Sequence, residues 1–188
     1  MQSAKIIEWA NKADLLIYLQ NHHPQIIAVD GIDGVGKSAS IAPFLKNSLN
    51  GRIISVDDFL QKKRGGYLKY LNYHDLERSI KSNCADLLII EGVQLLSVVS
   101  KIRIEPDCVV YVCDRQWLDE WEKYCQNKKP FRKIVKQKEE EVNRFNRILD
   151  GANARKYQLE GLRREIYCYT YRFYPFSKAD VILLMSKD

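Results

Sequence analysis

The sequence has no run of apolar residues near the roughly 18 that a membrane-crossing helix needs. Its opening stretch, MQSAKIIEWANKADLLIYLQ, interrupts its apolar positions with charges and holds no signal-peptide core. Cysteine is sparse: the five, at 84, 108, 113, 125 and 168, form no C-x-x-C pair. That spacing argues against a zinc site and against a disulfide framework. Free thiols in a reducing, cytoplasmic setting are the expectation. The three histidines, His22, His23 and His74, form no ligand cluster. Repeats and low-complexity linkers are missing too, so the 188 residues are expected to form one domain, 1–188, with its own core.

What is present begins with charge. Thirty Lys and Arg face 24 Asp and Glu, a net +6. Basic surfaces gather polyanions, but a protein that holds a nucleoside triphosphate is often basic for the same reason. Charge alone therefore leaves both nucleic acid and small nucleotides open.

Four short runs rich in β-branched residues read as buried parallel strands: QIIAVD (25–30), DLLIIEG (86–92), CVVYVCD (108–114) and ADVILLM (179–185). RIISVDDF (52–59) is a fifth. Helical patterns fill the gaps. An amphipathic helix is expected over 3–22, with Ile6, Ala10, Ala13 and Ile17 on one face and Pro24 beyond its end. Others are expected at 37–49, 75–83, 115–126, 137–149 and 155–170, the last with Leu159, Leu162, Ile166 and Tyr169 on one face. QKKRGGY (61–67), QNKKPF (126–131) and DGAN (150–153) read as loops. Alternation of this kind predicts an α/β fold with a mainly parallel, five-stranded sheet covered on both sides.

The stretch DGIDGVGKS (30–38) carries the most chemistry. Gly31, Gly36, Lys37 and Ser38 satisfy G-x-x-x-x-G-K-[ST], the pattern of a P-loop, between a strand and a helix. Glycines let the backbone wrap close to an anion, and the positive end of the following helix points at it. The loop Gly31, Ile32, Asp33, Gly34, Val35, Gly36, Lys37, Ser38 and Ala39 is the expected nucleotide cradle. Lys37 would reach the β- and γ-phosphates of ATP, and the Ser38 hydroxyl would hold Mg²⁺. The predicted fold is accordingly the three-layer P-loop NTPase fold.

Strands that end in acids supply the second feature. Asp30, Asp57 with Asp58, Glu91 and Asp114 all close a strand, and ligands of doubly wound sheets sit beyond those ends. Asp114 precedes RQWLDEW and reads as a helix N-cap. Asp57 and Glu91 are the candidates for proton and metal chemistry.

IIAVDGIDGVGKS, ISVDDF, LLIIEGVQLL and YRFYPFSKADVIL, in this order from about residue 25 to the end, resemble the uridine kinase family. That group also resembles nicotinamide riboside, pantothenate and phosphoribulose kinases. The resemblance implies an ATP- and Mg²⁺-dependent kinase that phosphorylates a hydroxyl of a small molecule such as a nucleoside. It implies Asp57 as the residue that activates the acceptor, with Phe59 in the aromatic position of the motif. Glu91 matches the family's glutamate near metal and acceptor, so Ser38, Asp57 and Glu91 are the implied metal residues and Asp57, Lys37 and Glu91 the implied catalytic ones. Tyr67, Tyr73, His74 and Asp75, around YLNYHDLERSI, fall in the implied acceptor-side segment, where they could contact a sugar or base. The family's arginine-rich lid, R-x-x-R-R-x-x-R-D, has no counterpart here. Arg115 and Arg132, with Lys129 and Lys133, are the available cations, and 126–136 is the implied lid region. The loop wording GIDGVGKS is nearer to thymidylate kinases, whose later blocks are missing. Two alternatives stand beside this reading: a kinase directed at RNA or tRNA, and a non-catalytic module that binds nucleotide. A GTPase is disfavoured, because Pro130 in NKKP takes the place of the aspartate in N-K-x-D.

Overall fold

The computed structural model describes residues 5–7, 11–61, 66–83, 86–126, 129–151 and 154–185. Its centre is a parallel sheet of strands β1 (Lys5–Ile7), β2 (Ile26–Gly31), β3 (Arg52–Ser55), β4 (Leu88–Glu91), β5 (Cys108–Asp114) and β6 (Val181–Met185). The order across the sheet is β1-β6-β5-β2-β4-β3. Every pairing is parallel. Parallel neighbours need long crossovers, and helices provide them. These are α1 (Lys12–His22), α2 (Ala42–Leu49), α3 (Tyr73–Ser82), α4 (Leu95–Lys101), α5 (Arg115–Gln126), α6 (Phe131–Asp150), α7 (Gly161–Phe173) and the short α8 (Pro175–Lys178).

Side chains of a strand alternate between faces, and the two cores follow that rule. Ile27, Val29, Cys108, Val110 and Val112 pack with Leu15 and Leu19 of α1 and Leu45 of α2. Ala28, Val109, Tyr111 and Cys113 face the opposite way, onto α3, α4, α5 and α7. Burial on both faces explains why β2, β4 and β5 read as unbroken apolar runs. Cys108, Cys113 and Cys168 are free thiols, and burial pushes Cys108 and Cys113 up to about 12. Cys84 lies outside the described residues. No helix among them is long and apolar enough to cross a membrane.

The N-terminal expectation of one helix over 3–22 is corrected. Residues Lys5–Ile7 form an edge strand that pairs with β6, and the helix begins only at Lys12, where the Asn11 side chain accepts from the Asp14 N–H. Its buried face is Leu15 and Leu19, whereas Ile17 is 55% exposed. The larger Leu pair, four residues apart, wins over the Ala-rich stripe because it buries more apolar area. Five expected strands thus become six. Helix α6 begins at Phe131 rather than 137, directly after Pro130, and the seven residues of α4 were not anticipated. Helix α7 starts at Gly161, later than expected, yet keeps Ile166 and Tyr169 buried.

The connection leaving β2 runs toward β3, and the one leaving β5 runs toward β6. Between these neighbours the sheet opens a crevice at its carboxyl end. Asp30, fully buried, holds that end together. Its Oδ1 accepts from the N–H of Gly31 at 2.7 Å and of Leu95 at 3.1 Å, and its Oδ2 accepts from the Tyr169 hydroxyl. One carboxylate therefore ties β2, α4 and α7. Burial pushes it above the ordinary carboxylate range, against the lowering influence of Tyr169, the two amides and Lys37.

Two substitutions separate shape from charge at this point. Asp30→Ala leaves three donors without a partner and is expected to cost ~3 kcal/mol in denaturant unfolding. Asp30→Asn keeps an acceptor and is expected to cost much less. A raised native pKa means the folded state binds more protons, so wild-type stability falls as pH rises from the ordinary carboxyl range to that raised value. The Asn variant is expected to lack this component, so unfolding curves taken across that window should show its stability improving relative to wild type as pH increases.

Candidate functional site

The glycine loop emerges from β2 at a point of close backbone approach. Gly31 has φ +149°, and a Cβ there would sit 2.0 Å from the Val112 carbonyl oxygen of β5. No side chain fits. Gly34 and Gly36 also adopt positive φ, +76° and +84°. After Gly36 the chain enters a wide helical turn, Lys37–Ile41, in which the N–H groups of both Ser40 (2.9 Å) and Ile41 (3.2 Å) donate to the Gly36 carbonyl. The first turn of a helix leaves its leading N–H groups without intrahelical acceptors, and these face the loop.

Lys37 lies inside that loop, 6% exposed, its Nζ donating to the carbonyls of Ile32 at 2.5 Å and Gly31 at 3.3 Å. Burial lowers its pKa, opposed by the carboxylates of Asp30, Glu91, Asp33 and Asp57. The Ser38 hydroxyl donates to Glu91 Oε2 at 2.7 Å, joining the loop to the end of β4. Glu91 is itself 2% exposed. Asp57 sits in a single helical turn, Val56–Phe59, that follows β3, and is open to solvent. Its Oδ1 accepts from the Tyr67 hydroxyl at 2.6 Å. Burial first, then the Asp57 carboxylate, push that phenol well above its ordinary range.

A cavity of about 280 Å³ gathers these groups, lined by Asp33, Gly34, Gly36, Lys37, Ser38, Ala39, Asp57, Glu91, Gly92 and Val93. Six of the nine expected cradle residues line it. Gly31 is consumed by its approach to β5, Ile32 gives its carbonyl to Lys37 and packs on the core, and Val35 packs under the loop on the opposite core. The expected catalytic trio, Asp57, Lys37 and Glu91, is brought together.

The expected acceptor residues fare unevenly. Tyr67 is buried against Asp57. Phe59 packs on the core. The Tyr73 hydroxyl donates to the Leu68 carbonyl at 2.8 Å, and its ring lies 3.6 Å from the Lys101 ammonium. His74 is exposed on α3 beside Asp75 and Arg78. Arg132 is exposed in the first turn of α6. Phe59, Tyr73, His74 and Arg132 do not line the cavity, because local helix packing claims the first two and solvent faces the others. Of the expected lid region 126–136, residues 131–136 are the first turns of α6, and 127–128 lie outside the described residues, as do 62–65 of the expected loop 61–67. Asp114 is an N-cap, accepting from the Trp117 N–H at 2.6 Å.

Three contributors were not read from the sequence. Gly92 must be small, since a Cβ would lie 3.0 Å from Val56 Cβ and 3.3 Å from the Tyr67 hydroxyl. Its signal was present in the IIEG run. Glu165 of α7 accepts from the Tyr67 N–H at 2.9 Å, and Gln94 Nε2 reaches the same carboxylate at 3.5 Å. A partner 98 residues away leaves no local sequence signal.

Ser38, Glu91 and Asp57 present hard oxygen donors of the kind Mg²⁺ takes, with carboxylates few enough to leave positions for phosphate and water. Glycine loop, buried ammonium and helix start are the kinds of group that could hold a phosphate chain. No protein-family model matches the chain, and no curated protein matches it.

Glycine substitutions test the cradle. Gly31→Ala must displace the β5 backbone and is expected to cost ~3 kcal/mol or more, or to prevent folding. Gly34→Ala meets open space and pays only for its positive φ, ~1 kcal/mol. Chemical denaturation of the two variants side by side checks the ranking.

Proposed function

We propose that the chain is a P-loop phosphotransferase that uses ATP and Mg²⁺ to phosphorylate a hydroxyl of a small molecule, a nucleoside or related ribosyl compound. One observation carries the reading: Lys37, the Ser38–Glu91 pair and Asp57 line a single cavity at the glycine loop. A lysine and a serine at a helix start fit a triphosphate. An exposed carboxylate across the same cavity fits a proton acceptor.

In this mechanism the loop orients the triphosphate, and Lys37 carries its charge against the β- and γ-oxygens. Burial costs Lys37 hydration when no anion is present, so the ammonium is primed to gain from one. Asp57 accepts the proton of the acceptor hydroxyl as that oxygen bonds to the γ-phosphorus. The bond from the γ-phosphorus to the β–γ bridging oxygen breaks, and ADP leaves. The Tyr67 hydroxyl fixes the Asp57 carboxylate, and Glu165 holds Tyr67 through its N–H. Ser38, Glu91 and Asp57 would hold Mg²⁺, which supplies charge neutralisation to the phosphates when bound.

A panel of nucleosides, nicotinamide riboside and pantothenate, each with ATP and Mg²⁺, tests the reading. At least one acceptor is expected to be phosphorylated, and Asp57→Ala is expected to lower kcat by roughly 10²-fold or more. Lys37→Met is expected to abolish transfer. ATP binding without transfer to any acceptor, or an Asp57→Ala protein as active as wild type, would overturn it.

A further inference from the structure

The net charge of +6 is not spread over the molecule. Residues 129–172 hold twelve Lys and Arg against six Asp and Glu, and the rest of the chain is balanced. The whole excess therefore belongs to Lys129, α6, α7 and the extended segment 154–160 between the two helices. At about 100° per residue, Lys133, Lys136, Arg144 and Arg147 share an arc of about 80° on α6 and span about 21 Å of its axis. All four are exposed. Lys136 approaches Glu140 at 3.6 Å; Lys133, Arg144 and Arg147 pair with no acid among the described residues.

The segment 154–160 widens this strip. Asn143 of α6 clamps it, donating to the Tyr157 carbonyl at 3.2 Å and accepting from the Tyr157 N–H at 2.6 Å. Arg155 and Lys156, exposed and also without an acid partner among the described residues, are thereby held beside the Arg147 side of the helix. A cavity of about 340 Å³ lies at this junction, lined by Asn146, Arg155, Lys156, Tyr157, Gln158 and Glu160.

Around the other flank of Arg144 runs an apolar stripe. In the first half of α6 this stripe is seated on the body: Ile134 is buried, Phe131 meets Tyr171, and Lys138 pairs with Glu120 at 3.2 Å. Farther on the helix outruns its neighbours, and Phe145, Ile148 and Leu149 stand 59%, 75% and 65% exposed. The surface thus has one cationic edge and one apolar edge, parallel along the same helix.

We infer that this α6 surface docks single-stranded nucleic acid, with phosphates along Lys133, Arg144, Arg147, Arg155 and Lys156 and bases against Phe145, Ile148 and Leu149. A single strand has that same pair of edges, a charged backbone and unpaired bases free to stack. A duplex buries its bases and leaves the apolar stripe unmatched. An anionic membrane suits an apolar stripe bordered by cations on both flanks, but here the second flank carries Glu139 and Asn146. The inference does not rest on the kinase reading, because these residues stand apart from the cavity that holds Lys37 and Asp57.

Fluorescence anisotropy with a labelled 20-nucleotide single-stranded RNA tests it. Wild type is expected to bind, with log K falling against log salt at a slope of about −3, as for four to five neutralised phosphates. The double variants Arg144→Glu/Arg147→Glu and Arg155→Glu/Lys156→Glu are expected to lose tenfold or more. Phe145→Ala is expected to weaken binding several-fold while leaving the slope unchanged. Thermal unfolding confirms that each variant is folded, and Arg144→Gln/Arg147→Gln replaces the first pair if charge reversal unfolds it. Asp57→Asn is expected to bind like wild type. The inference is overturned if wild type does not bind the RNA, if the charge variants bind as wild type does, or if a duplex of equal length binds as tightly. Retention on phosphatidylserine vesicles without binding to RNA would instead assign the surface to a membrane.

Discussion

A carboxylate with no access to water holds the functional end of the sheet in place. Asp30 accepts from the Gly31 N–H, from the first residue of α4 and from a tyrosine of α7. Burying such a group is costly unless donors surround it, and here three elements must arrive together to supply them. The cost enforces cooperation: the end of β2, the start of α4 and the middle of α7 are fixed relative to one another before the loop begins. Gly31, pressed against β5, continues the constraint on the other side. The cavity is built on the junction of these two contacts.

The same junction sets the electrostatics above it. Lys37 is buried among Asp30, Glu91, Asp33 and Asp57, and its ammonium is satisfied for the present by two carbonyls of its own loop. Those carbonyls are weaker partners than an anion. On the proposed function, a phosphate chain entering the cavity would replace them with charge-assisted contacts in a low-dielectric site, where such contacts are strongest. The carboxylates opposite are each restrained by a hydroxyl, Glu91 by Ser38 and Asp57 by Tyr67. Anchoring of this kind removes the reorganisation that a mobile side chain would require.

Legibility in the sequence followed burial. Strands covered on both faces, β2, β4 and β5, announced themselves as continuous β-branched runs, and the glycine loop was readable because few residue types tolerate its backbone. Strand β1 was not, since three residues at a sheet edge between charges carry no pattern of their own. The start of α6 was missed because its first turns mix Phe131, Ile134 and Val135 with four cations, so that the helix looked like a basic loop. Lys37 was read from the glycine-loop pattern and Asp57 and Glu91 from strand ends, and the three line one cavity. Tyr73 and His74 were assigned to the acceptor side through the family resemblance, whereas α3 sets them on local contacts away from the cavity lining. Glu165 was invisible because its partner Tyr67 is distant in sequence and its bond is to a backbone N–H, which any residue could offer.

The misread start of α6 bears on how charge is used in this fold. Cations near 132 looked like candidates to close over a triphosphate, which would have tied the net charge to the glycine loop. Helix α6 instead fixes them on a long face whose apolar stripe is seated at one end and uncovered at the other. A helix of twenty residues reaches about 30 Å, farther than the bodies of α5 and α7 can cover, so part of its stripe must meet solvent or a partner. Exposed cations beside an uncovered stripe repel one another where salt does not screen them, and a polyanion with an apolar edge would relieve that repulsion and cover the stripe together. The cavity at the sheet and the face of α6 therefore solve separate electrostatic problems. The first holds one buried cation among acids, and the second carries Lys133, Arg144 and Arg147, which pair with no acid among the described residues.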